Sequence, residues 1–127
     1  MTDATDTLPA PAEHPGTVLR QEYLDPLGLS GNALAMALRV PPPRISELLR
    51  GRRGVTADTA LRLGRYFGTG PELWMALQAA YDLHQVDPAI KLAIATDIAP
   101  LFGEDKATRK GHTKALKRRL SAFTESF

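Results

Sequence analysis

The amino-acid sequence predicts an all-α protein. Apolar residues recur at spacings of three and four in one segment after another, the period of a helix with one buried face. No stretch shows the two-residue alternation of a half-buried strand. Residues that start and stop helices, chiefly Ser, Thr, Asp, Pro and Gly, punctuate the joints between these segments.

The first helix is expected to begin near Pro15, because proline suits the first helical position. Leu19, Tyr23 and Leu27 give it an apolar spacing of four, and Asp25-Pro26 with Gly28 is expected to end it. Ser30 reads as the N-cap of a second short helix with Leu34, Ala35 and Leu38 inward. Ile45, Leu48 and Leu49 mark a third helix, and Gly51 suits the left-handed position after its end. Thr56 caps a fourth, in which Ala60, Leu63, Gly64 and Phe67 face inward and Asp58 stands four residues before Arg62. Thr69 and Glu72 form a capping-box pattern for a fifth helix carrying Trp74, Leu77 and Tyr81. Asp87-Pro88 opens a sixth, with Ile90, Ile94 and Ile98 in line and Pro100 and Gly103 closing it. The last segment, "HTKALKRRLSAF", reads as an amphipathic helix, or as a tail that becomes one on binding, with Leu116, Leu120 and Phe123 as its stripe. The expected organisation is an acidic disordered arm (1–13), a main helical domain (14–84), an additional helix (85–102) and a basic helix or tail (103–127).

The chain of 127 residues suffices for one core of ordinary soluble composition, 43% apolar and 24% charged. It contains no cysteine, so thiolate chemistry and disulfides are excluded, and the cytoplasm is the expected compartment. No apolar run is long enough to cross a bilayer, and no membrane role is expected. The net charge of +2 conceals strong clustering. Residues 39–65 hold seven arginines against Glu47 and Asp58, and residues 106–119 hold seven basic residues and no acid. Such blocks suit an anionic partner such as nucleic acid, although solvated helix faces give the same pattern.

The triple proline 41–43 bears on which partner. Proline is tolerated where a helix needs no N–H, in its first turn. Pro41 and Pro42 are expected to stay extended, with Pro43 as the first helical residue. Two short helices joined by a stiff turn form a helix-turn-helix, whose second helix fits the DNA major groove. Arg44 at its start has the donor fork that pairs with guanine, and Glu47 one turn on has an acceptor for cytosine N4. Pro42 and Pro43, without donors, have at most a thymine methyl to touch. Arg50, Arg52 and Arg53 leave the far end of the helix and suit phosphate.

The stretches "HPG", "RISELLRGRRG", "TADTALRL", "YFGT" and "LQAAYDL" occur in that order within residues 14–83. In sequence and spacing this region resembles the HigA-type antitoxins of bacterial toxin–antitoxin modules, part of the XRE/Cro-like helix-turn-helix group. The resemblance implies a five-helix domain like that of Cro and lambda repressor, here with additional C-terminal helices. It implies a homodimer that binds a palindromic operator in double-stranded DNA and represses its own operon. It also implies a HigB-like toxin partner that cleaves mRNA on the ribosome. By similarity Arg44, Ser46 and Glu47 face the operator, while Ala35, Leu38, Ile45 and Leu48 pack the motif. Trp74, Leu77 and Tyr81 fall where the family has core or subunit-contact residues. Residues 103–127 match no part of the family pattern, and three prolines at the turn are more than it usually carries.

Nothing suggests an enzyme, a metal or a cofactor. His14, His84 and His112 lie in separate segments without ligand spacing. Ser30 and Ser46 lack a nucleophile elbow, and the glycines do not form a phosphate loop. Two other functions remain open at this point: a solitary XRE-type regulator without a toxin, and a toxin-occluding module with little DNA binding.

Overall fold

In the computed structural model, which describes residues 12–101 and 106–124, the regular elements of the described residues are all helical. The N-terminal arm, apart from Ala12 and Glu13, lies outside the described residues, as does Gly103. The chain divides into two units, Met1–Gln85 and Val86–Phe127.

The first unit opens with α1 (Pro15–Leu19), capped by His14, whose Nδ1 accepts from the Gly16 N–H at 2.9 Å. Asp25-Pro26 does not end the helix as expected. The chain runs on through one π-type turn, Arg20–Leu24, into α2 (Asp25–Leu27). In that wider turn the Asp25 N–H reaches the Arg20 carbonyl, and Pro26, with no N–H, leaves no donor unmet. The extra residue also shifts the buried face. Leu19 and Leu24, five apart, are buried, whereas Leu27 is 66% exposed, against the expected spacing of four. Tyr23 packs on the Phe67 and Trp74 rings.

Ser30 caps α3 (Gly31–Leu38) through the Ala33 N–H, and Leu34, Ala35 and Leu38 are buried. α4 (Pro42–Leu49) starts one residue earlier than expected. Pro41 is the extended N-cap, and Pro42, not Pro43, is the first helical residue. Both prolines occupy positions whose N–H groups would have no intrahelical partner, and the first bond runs from the Arg44 N–H to the Pro41 carbonyl at 3.0 Å. Pro42 is helical although a proline follows it, because its ring fixes φ in the helical range and the first position needs no N–H. Gly51 takes the left-handed conformation expected of it, φ 73°, and the Arg52 N–H closes back on the Glu47 carbonyl at 2.9 Å.

Thr56 caps α5 (Ala57–Phe67), and Ala60, Leu63 and Gly64 are buried along it. The expected capping box before α6 (Pro71–Gln85) does not form around Thr69. The helix starts at Pro71, two residues on, and the Thr69 hydroxyl accepts the Trp74 indole N–H at 3.0 Å. Trp74 is fully buried and anchors α6 on α5, with the half-buried Leu77 beside the core.

α1 crosses the last turn of α4 at backbone contact. A Cβ on Gly16 would lie 1.9 Å from the Leu48 carbonyl oxygen, so only glycine fits there. Arg20 donates to the Leu49 carbonyl at 3.3 Å, taking up one of the free acceptors at the end of α4.

In the second unit, Asp87 caps α7 (Pro88–Asp97) by accepting from the Ala89 N–H at 2.9 Å. α7 ends at Asp97, before the expected stop at Pro100, because Ile98 is already extended. Ile90 and Ile94 are exposed. α8 (Lys106–Thr124) is a helix of 19 residues. Leu116 and Leu120 are 66% and 62% exposed, and the Phe123 side chain lies outside the described residues. Among the described residues no helix is long and apolar enough to cross a membrane.

Candidate nucleic-acid interface

The turn between α3 and α4 is three residues long. Arg39 adopts a left-handed conformation, φ 61°, unusual for a residue with a Cβ, and the Val40 N–H returns to the Ala35 carbonyl at 3.0 Å. Val40 is buried and Pro41 is extended. A left-handed residue, an anchored apolar one and a fixed proline leave the chain one way round the corner.

Along α4, burial of Ile45 and Leu48 turns the opposite side outward. Pro42, Ser46 and Arg50 stand four apart on that side, with Pro43 and Glu47 beside them. Ser46 Oγ donates to the Pro43 carbonyl at 3.3 Å. Glu47 accepts twice from Arg53, at 2.9 Å from Nε and 2.6 Å from Nη2, which folds the loop after α4 back against the helix. The Arg50 and Arg52 side chains are exposed and make no hydrogen bond or ion pair within the described residues.

Arg44 lies on the flank between the buried and exposed sides. Its Nη1 donates to Asp58 Oδ2, which also accepts from Arg62 Nε at 2.9 Å. Arg62 in turn donates through Nη1 to the Leu38 carbonyl at 2.9 Å. The Arg62 hydrogen bond, followed by that of Arg44, holds the Asp58 carboxyl below the usual carboxylate range. One carboxylate thus ties the start of α5 to the end of α3 and the first turn of α4. It engages Arg44 through Nη1 alone, and a guanidinium has further donors at Nε and Nη2.

α6 and α1 fix the loop that carries Arg52 and Arg53. Gln78 Oε1 accepts from the Val55 N–H at 2.7 Å, and Gln78 Nε2 donates to Asp82 at 2.8 Å. The His14 ring sits edge-on to Tyr81, centroids 4.9 Å apart. Burial lowers the His14 pKa from its ordinary value, opposed by a hydrogen bond that the ring donates to the Arg53 backbone and by the charge of Asp82.

The structure therefore brings Pro42, Pro43, Arg44, Ser46, Glu47, Arg50, Arg52 and Arg53 to α4 and the loop that follows it. It places Trp74 in the interior, Leu77 at the core edge and Tyr81 half-buried against His14. Sequence reasoning missed the Arg44–Asp58 and Glu47–Arg53 pairs. The first joins residues 14 apart on different helices, and the second spans the glycine turn, so helical spacing reveals neither. Gln78 gave no signal, and His14 gave only that of a helix start.

Residues 16–88, more than half the chain, match the family described as a helix-turn-helix domain. The chain belongs to that family. This helix-turn-helix protein is 58% identical over 77 residues to virulence-associated protein I of Dichelobacter nodosus, covering 61% of its own length and 71% of the relative. It is 43% identical to the Pseudomonas aeruginosa antitoxin HigA solved with the higBA promoter, with a TM-score of 0.66 over 71% of this chain and 98% of that one. A P. aeruginosa protein solved with an 18-bp operator DNA superposes with a TM-score of 0.68, at 43% identity over 72% of this chain and 96% of that one. The resemblance to HigA-type antitoxins is borne out by these matches, and so is the all-α helix-turn-helix fold.

Proposed function

We propose that this helix-turn-helix protein is a DNA-binding antitoxin that represses its own operon and neutralises a HigB-like toxin. The observation that carries the DNA half is the presentation of α4. One side is fixed into the core by Ile45 and Leu48, and the other offers Pro42, Ser46, Glu47 and Arg50 to a groove. The solved HigA–promoter and operator complexes among its neighbours support the same reading, and the toxin half is what the likeness to proteins named as antitoxins implies.

In this reading Arg44 reads a guanine through the donors that Asp58 leaves uncommitted. Glu47 and Ser46 meet the neighbouring base edges, and Pro42 and Pro43 abut thymine methyls. Arg50, Arg52 and Arg53 hold phosphate and set register. Two copies of the chain bind the two halves of a palindrome. The work is binding without catalysis, carried out in the cytoplasm. A solitary regulator shares the DNA half and lacks the toxin.

The test is co-expression with the neighbouring gene, together with a promoter-binding assay. The account expects this protein to restore growth against the gene product and to shift its own promoter fragment more strongly than a scrambled one. Promoter binding without rescue makes the chain a solitary regulator; rescue without promoter binding removes the role given to α4.

A further inference from the structure

α8 lies beyond the family match, which ends at residue 88. Over residues 106–119 it carries Lys106, Arg109, Lys110, Lys114, Lys117, Arg118 and Arg119 with no acid. Among the residues whose side chains are described, Lys110, Lys114, Lys117 and Arg118 stand at i, i+4, i+7 and i+8, on one face, and all are exposed. None of the four makes an ion pair or hydrogen bond within the described residues. Like charges four apart on a helix repel, so Lys110–Lys114 and Lys114–Arg118 weaken α8 while it stands alone. A polyanion along that face removes the repulsion.

We infer that the Lys110–Lys114–Lys117–Arg118 face of α8 is a second, sequence-independent DNA contact that grips duplex phosphates. The inference rests on the DNA-binding reading above for its partner, and charge complementarity chooses the contact. Duplex DNA carries one negative charge per ~1.7 Å of its axis, a continuous target for a basic stripe. Single-stranded RNA fits less well, since stacking platforms need aromatic rings and residues 106–119 hold no Phe, Tyr or Trp. Tethering to a unit already on DNA raises the local concentration of phosphate that α8 meets. Phosphate contacts of this kind add affinity without adding sequence preference.

The experiment compares the full chain with a variant carrying Lys110→Gln, Lys114→Gln, Lys117→Gln and Arg118→Gln. Affinity is measured across a salt series for the promoter fragment and for a scrambled duplex of equal length. A second variant, Lys110→Arg with Lys114→Arg and Lys117→Arg, keeps the charge and controls for changes in the helix itself. If all four residues meet phosphate, the glutamine variant loses about 3.6 per bound chain from the slope of log affinity against log salt. A roughly fourfold rise in salt then costs the unaltered protein about 100-fold more affinity, per bound chain, than it costs that variant. Its preference for promoter over scrambled duplex stays unchanged, and the arginine variant keeps the original slope. An unchanged slope in the glutamine variant overturns the inference, as does a lost preference or a defect confined to toxin or RNA binding. If the unaltered chain shows no promoter preference, the proposed function fails, and the slope comparison still decides the role of α8.

Discussion

Both α4 and α8 are rich in positive charge, and they hold it in opposite ways. At α4 and its loop two of the four cations come with anions, Arg44 tied to Asp58 and Arg53 to Glu47, while Arg50 and Arg52 make no ion pair within the described residues. The helix is anchored by Ile45 and Leu48, and the following loop is fastened by Gln78. α8 has cations without acids over residues 106–119 and leaves Leu116 and Leu120 exposed. Pairing restricts a guanidinium to a few rotamers and removes part of its pull on any passing phosphate. That is what discrimination between bases needs, because an arginine reads a base edge by geometry, whereas phosphate accepts a cation in many poses. The unpaired cations suit grip, and Arg44, paired and held at the flank of the core, suits reading.

The largest expected effect breaks the anchor of α4. Ile45→Ala leaves a cavity under the helix and should destabilise the first unit by about 2–5 kcal/mol, read as a lower urea midpoint. The matching change in α8, Leu116→Ala, removes an exposed side chain and should leave that midpoint almost unmoved. Equal losses from the two would erase the contrast between anchored and bare helices.

The next effect is on selectivity. Asp58→Asn keeps the shape of the side chain and removes the charge that restrains Arg44 and Arg62. Affinity for scrambled duplex should rise about two- to five-fold, while the preference for the promoter falls, as measured by competition binding. A preference that rose instead would mean that Asp58 hinders the reading of bases.

The smallest effect concerns pH. The folded state lowers the His14 pKa through burial, so folding favours the neutral ring. The resulting stability is present above pH 6.5 and is lost as pH falls through the lowered folded value. Urea midpoints should therefore drop between neutral and mildly acidic pH, and His14→Asn, which keeps a capping acceptor, should flatten that drop. A slope unchanged by the substitution would assign the titration to another group.

The helix-turn-helix was legible because its signals are local. Ser30 and Thr56 cap where the sequence says they do, Gly51 turns left-handed, and Ile45 and Leu48 are buried at the expected spacing. Departures came where tertiary packing overrode a local rule. The π-type turn carried the first helix through Pro26, and Pro42 entered α4 ahead of Pro43. The Thr69 hydroxyl accepts from the Trp74 indole, a partner set by the buried ring and not by helix capping. The eight interface residues named from the sequence do gather on α4 and its loop, but their partners were hidden. Asp58 reads as a first-turn acid of α5 with a partner at Arg62, and only the folded chain brings Arg44 to it.

On the proposed function, Arg44, steadied by Asp58, reads one base pair in each half of the promoter site. Its most direct measurement is a scan in which every base pair of one half-site is changed in turn, with affinities taken for the unaltered chain and for Arg44→Ala. The account predicts that one G·C position costs the unaltered chain about 1–3 kcal/mol and costs the variant nothing, while both respond alike at every other position. If the two profiles coincide throughout, Arg44 does not read the base, and the role assigned to the start of α4 is wrong.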